Sequence, residues 1–103
     1  MLPRNEPTED QIIKARMYVN LRPSEAVTVL WLALNPGERF SPAEIAALVN
    51  SRSEDTGQAA GQIVKRLRTA LWLEGIKAQI NTLYGSGYWM DAKSAKAVME
   101  RLA

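Results

Sequence analysis

The chain has 103 residues, nearly half of them apolar, which is enough for one compact core and too few for two ordinary domains. Thirteen Lys and Arg against eleven Asp and Glu leave a net charge of +2, so the whole-chain balance permits a nucleic-acid partner without demanding one. The absence of Cys and His excludes disulfides, thiolate nucleophiles and the commonest transition-metal ligands and general bases, so a non-enzymatic protein without metal or cofactor is expected.

Residues 1–7 are polar and broken by Pro3 and Pro7, and are expected to form a flexible arm preceding a single domain over 8–103. They lack the apolar core of a signal peptide, and no apolar run approaches membrane-spanning length, so a cytoplasmic, nucleoid-associated protein with no membrane partner is expected. Thr8 is placed to cap a helix whose first turn holds Glu9 and Asp10, favourable at the positive end of the helix dipole, and which runs to about Tyr18.

Leu21-Arg-Pro-Ser-Glu25 gives a second start signal, with Ser24 as the expected cap; Val27, Leu30, Trp31 and Leu34 then recur at helical spacing until Asn35-Pro36-Gly37 stops the helix. Ser41-Pro-Ala-Glu44 reads as a capping box with proline at the first helical position, opening a short helix over about 42–50. The polar stretch from Asn50 to Gln58 reads as a loop. A third core helix follows to about Leu73, where Glu74-Gly75 ends it. Strand-like residues from Lys77 to Tyr84, a tight Gly85-Ser-Gly87 connection and a return over Tyr88–Met90 predict a hairpin. Asp91 then caps a last helix with Ala92, Ala95, Val98, Met99 and Leu102 on one face, a face available for homodimerisation or for packing on the same chain.

Wound at about 100° per residue, the third core helix puts Ala60, Ile63, Val64, Leu67 and Leu71 on one side. Gln58, Gln62, Lys65, Arg66 and Thr69 lie opposite, with Arg68 at the flank. Glutamine suits adenine, lysine and arginine suit guanine, and threonine offers a hydroxyl and a methyl group, while a flanking arginine suits a phosphate. Small residues at 57, 59 and 61 would let the start of this helix approach a groove closely. The hairpin residues Tyr84, Gly85 and Ser86 are candidates for backbone contact. Trp31 belongs in the core; Trp72 falls near the polar face of its helix and Trp89 on the ribbon, and both are expected to pack beneath the hairpin, with stacking against a partner as the alternative.

Taken in order, Leu21-Arg-Pro-Ser-Glu25, Leu34-Asn-Pro-Gly37, Ser41-Pro-Ala-Glu44, Arg66-Leu-Arg68 with Leu71, and Thr82-Leu-Tyr-Gly-Ser-Gly-Tyr88 resemble the OmpR/PhoB-type effector domain of response regulators, over about residues 21–90 and without a receiver domain. The resemblance implies a mainly α fold with a small β-hairpin (α+β): a winged helix-turn-helix with a three-helix core, a C-terminal wing and here an extra C-terminal helix. It implies sequence-specific binding of double-stranded DNA by a bacterial or phage transcriptional regulator, with the third helix in the major groove and the wing on the backbone or minor groove. Lys65, Arg66, Arg68, Thr82 and Gly85 are the contacts it carries over, and the loop over 50–58 is its surface for RNA polymerase. Where the family's wing has arginine, this chain has Tyr84. The alternatives are a winged helix that binds another protein, as an anti-activator or polymerase adaptor, and a DNA binder of low sequence specificity.

Overall fold

Four side-chain caps set where the helices begin. In the computed structural model, which describes residues 4–51, 55–83 and 86–103, Thr8, Ser41, Asp55 and Asp91 each accept a backbone N–H from the first turn of α1 (Glu9–Tyr18), α3 (Pro42–Leu48), α4 (Thr56–Leu73) and α5 (Ala92–Leu102). Each satisfies a donor that the helix itself leaves orphaned, which is worth about 1 kcal/mol. Thr8 and Ser41 form reciprocal capping boxes with Gln11 and Glu44. α2 (Pro23–Leu34) starts differently from expectation: Arg22 is the cap position and Pro23 the first helical residue, while the Glu25 carboxylate accepts the Arg22 N–H at 3.4 Å. Ser24 therefore lies inside the helix, where its carbonyl accepts the buried Thr28 hydroxyl at 2.8 Å. Because Asp55 is a cap, α4 begins two residues earlier than expected; residues 52–54 of the expected loop lie outside the described residues.

The described residues form a mainly helical α+β domain of five helices and one two-stranded antiparallel sheet. α2 lies at the centre, packed on α1, α4 and α5, and α3 packs on α4. The core between them holds Val29, Leu30, Leu32, Phe40, Ile45, Val64, Leu67 and Leu71, none more than 2% exposed. Burying each such side chain stabilises the fold by about 1.5–3 kcal/mol before conformational entropy is counted. Trp31 meets Phe40 edge to face, with ring centroids 6.3 Å apart. Ala95, Val98 and Leu102 of α5 are buried against this same core and Met99 packs at its margin, so the face that offered a homodimer is used within the chain.

The sheet is shorter than expected. β1 (Asn81–Leu83) pairs with β2 (Gly87–Trp89) in the register Asn81 with Trp89, Thr82 with Tyr88 and Leu83 with Gly87. Residues 77–80 are not strand, because β2 offers no partner so far along; the Gln79 N–H goes instead to the Ser94 hydroxyl of α5 at 2.9 Å. Phe40 supplies a third, single-residue rung. Its N–H and carbonyl exchange hydrogen bonds with Tyr88 at 2.8 and 2.9 Å, and the Gly37 N–H reaches the Met90 carbonyl at 2.8 Å. Gly87 makes this approach possible. It sits at φ +123°, and a Cβ there would lie 2.7 Å from the Phe40 carbonyl carbon and 3.0 Å from the Ser41 Cα.

The expected N-terminal arm is corrected over its described part. Asn5 pairs its N–H and carbonyl with the Asn35 side-chain amide at 2.6 and 2.9 Å, and the same amide nitrogen donates to the Trp31 carbonyl at 2.8 Å. Arg4 lies with its guanidinium carbon 4.0 Å from the centre of the Phe40 ring. It is ion-paired to Glu38 at 2.8 Å and to Glu44, and donates to the Arg39 carbonyl at 2.9 Å. Two buried or stacked partners, Asn35 and Phe40, thus fix a segment whose composition alone reads as loose.

Candidate nucleic-acid interface

α4 is amphipathic because its apolar residues recur at helical spacing. Ala60, Ile63, Val64, Leu67 and Leu71 are all buried, and Gln58, Gln62, Lys65, Arg66, Arg68 and Thr69 are all exposed. Gln58, Gln62, Lys65 and Thr69 follow one another at spacings of four, three and four along one line of the helix. Arg66 stands on one side of that line and Arg68 on the other. Thr69 donates its hydroxyl back to the Lys65 carbonyl at 3.2 Å, so towards a ligand it offers an acceptor and a methyl group.

On the Arg66 side, an open groove of about 520 Å³ runs between α4 and the start of α2. Gln62, Lys65, Arg66 and Thr69 face it from α4 and Arg22 from the cap position of α2. Its carboxylate, Glu25, belongs to a residue only 5% exposed and takes the Arg22 N–H. Among the described residues, Arg22, Lys65 and Arg66 make no ion pair; the paired cations are Arg4, Lys14, Lys96 and Arg101.

The hairpin stands on the Arg68 side. One terminal nitrogen of Arg68 donates to the Ile80 carbonyl at 2.6 Å and to the Thr82 hydroxyl at 2.7 Å, tying α4 to β1. Arg68 and Thr82 are therefore partners of each other, and the flanking cation is partly spent on holding the ribbon. Gly61 faces this seam, where a Cβ would lie 3.9 Å from the Tyr88 hydroxyl, an ordinary contact that leaves room for a side-chain methyl. Ser86 is half-buried, and its hydroxyl accepts from Arg39 Nη1 at 3.2 Å. Tyr84 and Gly85 lie outside the described residues.

Two cations escaped the sequence reading. Arg22 carried no signal beyond its place before a helix-starting proline. Arg39 reaches the hairpin only because Phe40 pairs with Tyr88. Trp72 is corrected: it is 78% exposed, on the outer face of α4 one turn beyond Thr69, beside Leu73 at 71%. Trp89 is half-buried on β2.

Three carboxylate and guanidinium environments are perturbed. At Glu44, burial pushes the carboxyl up, but the Ser41 N–H and Arg4 more than offset it and leave it below the usual carboxylate range. The Glu38 carboxylate is the largest influence on Arg4 and raises it. The Ser94 N–H holds the Asp91 cap below its ordinary value.

No helix among the described residues is long and apolar enough to cross a membrane. No family model, curated protein or solved structure matches the chain.

Proposed function

We propose that the chain is a winged helix protein that binds double-stranded DNA sequence-specifically, a bacterial or phage transcriptional regulator acting at the nucleoid without catalysis or cofactor. The order α2, Phe40 rung, α3, α4, β1, β2 supports the winged helix reading, in which α4 would be the recognition helix and the hairpin the wing. The observation that carries the reading is the exposed line Gln58, Gln62, Lys65 and Thr69, with Arg66 beside it and the hairpin alongside. Such side chains, Arg66 among them, match base edges in a major groove, while Arg68 at the flank suits a phosphate. Contact with RNA polymerase through residues 50–58, expected as a loop, is a secondary part of the proposal and rests on the family resemblance.

With on the order of four to six cationic contacts per bound unit, the logarithm of affinity should fall against the logarithm of salt with a slope of roughly −4 to −5. A gel-shift titration across salt concentrations tests this. Absence of duplex binding even at low ionic strength would overturn the reading.

The exposure of Trp72 and Leu73 favours one rival, a winged helix that docks another protein through the end of α4. Under that reading duplex binding is absent and a Trp72→Ala change abolishes partner capture. Selection from random duplexes separates the remaining alternative, since a binder of low specificity returns no motif.

A further inference from the structure

The hairpin over 80–90 contains no Lys or Arg. A ribbon that approaches a phosphodiester chain with no charge of its own contributes little to affinity, because counterion release requires a cation at the phosphate. Two arginines from elsewhere in the chain are nevertheless attached to it by hydroxyl groups, Arg68 through Thr82 and Arg39 through Ser86. Arg39 is exposed and makes no ion pair among the described residues. Its single hydrogen bond to Ser86 leaves most of its five N–H donors unused.

Arg39 is also held in place by its backbone. The next residue, Phe40, is locked to Tyr88 by two hydrogen bonds, and the Arg39 carbonyl accepts from Arg4. The same Arg4 guanidinium pairs with both Glu38 and Glu44 and offsets half of the negative charge that these carboxylates place near Arg39. Arg4 is anchored in turn by the Asn5–Asn35 pairing.

We infer that Arg39 is a phosphate-binding residue of the duplex interface, supplying from the α2–α3 connection the charge that the hairpin lacks, and that Arg4 is its positioning residue. This rests on the duplex-binding reading above. The ligand class is the phosphodiester backbone, so the contribution is independent of base sequence.

The test is fluorescence anisotropy of the full chain with a mixed-sequence duplex across salt concentrations. Arg39→Gln keeps a donor for Ser86 and removes the charge. It should flatten the logarithmic salt slope by about 0.9 and weaken binding about eightfold near 0.1 M salt, the effect of one phosphate contact. Arg39→Lys should restore the slope. Arg4→Ala should weaken binding in the same direction by a smaller factor, about threefold, because the unneutralised carboxylates oppose Arg39 without removing it. Thermal unfolding of each variant separates lost contact from lost fold. If Arg39→Gln does not fold, the unaltered chain provides the readout: bound duplex should shield Arg39 from modification by phenylglyoxal. Wild-type binding with an unchanged Arg39→Gln slope, or with Arg39 equally modified in the bound state, overturns the inference and leaves the functional reading standing. Failure of the wild-type chain to bind any duplex removes both.

Discussion

The two flanks of α4 are built from different materials. On one side the hairpin is a backbone construction: two three-residue strands, a single rung from Phe40, and a glycine whose missing side chain lets the chains meet. On the other, the groove beside Arg22 is lined mostly by exposed side chains on or next to two helices that the core already holds. Changes on the hairpin flank should therefore act on folding first, and changes on the groove flank on binding first. A fold can thus keep its recognition surface variable where side chains are free while fixing the ribbon's position through main-chain contacts.

Gly87→Ala is the strongest way to break that contrast. The new methyl would collide with the Phe40 carbonyl at a positive φ that alanine tolerates poorly, so a loss of about 3 kcal/mol in unfolding free energy is expected. Denaturant unfolding with an unchanged m-value would register it, and the melting temperature would drop by about 4–8 °C for each kcal/mol. A loss below about 1 kcal/mol would show that the hairpin can shift away from Phe40 cheaply, and the two flanks would then differ little.

The same division explains what was legible in the sequence. Thr8 and Ser41 announce their helices because a capping box is local, with both partners inside four residues. The exposed line of α4 was legible because a helix of fixed period sorts its own faces. The side chains of residues 77–80 suit a strand, but strand length is set by the partner, and β2 is only three residues long. Phe40 and Tyr88 lie 48 positions apart and meet through one rung, which no local pattern records. Arg4 looked like part of a loose arm because its value lies in Glu38, Glu44 and the Phe40 face, all distant in sequence. Trp72 was assigned to the underside of the hairpin on the general tendency of tryptophan to be buried, although its place on the helical wheel already put it near the polar face.

Arg66→Ala probes the other flank. Arg66 is exposed and has no ion-pair partner among the described residues, so its removal should leave unfolding free energy within about 0.5 kcal/mol of the unaltered chain. Binding to a selected duplex should weaken by about 1–3 kcal/mol, with relaxed preference at one position if the guanidinium reaches a base. A uniform loss over all sequences would move Arg66 to the phosphates. Unchanged affinity would remove it from the interface, and a large loss of stability would mean that the groove flank supports the fold after all.

Acid titration gives the smallest effect and the sharpest comparison, because the two flanks differ in their carboxylates. Glu44, capping α3 beside the Phe40 rung, is held below the usual carboxylate range despite the upward push of burial. A group whose folded value is depressed binds fewer protons folded than unfolded. Its stabilising contribution is therefore present above the unfolded value, near pH 4.3–4.5, and is lost as pH falls through the folded one. Below about pH 4.5 the Arg4–Glu44 pair and the α3 capping box should weaken together, the Asp91 cap of α5 losing its share only further down, below its ordinary value of 3.8. The Phe40 and Tyr88 amides, which close the rung, should then lose hydrogen-exchange protection before the Ala26 amide at the start of α2. Glu44→Gln should reduce this acid sensitivity, since its side-chain oxygen still accepts the Ser41 N–H but no longer titrates. Equal loss of protection at both places would mean that acid acts on the whole domain at once, and that the hairpin flank has no separate stability of its own.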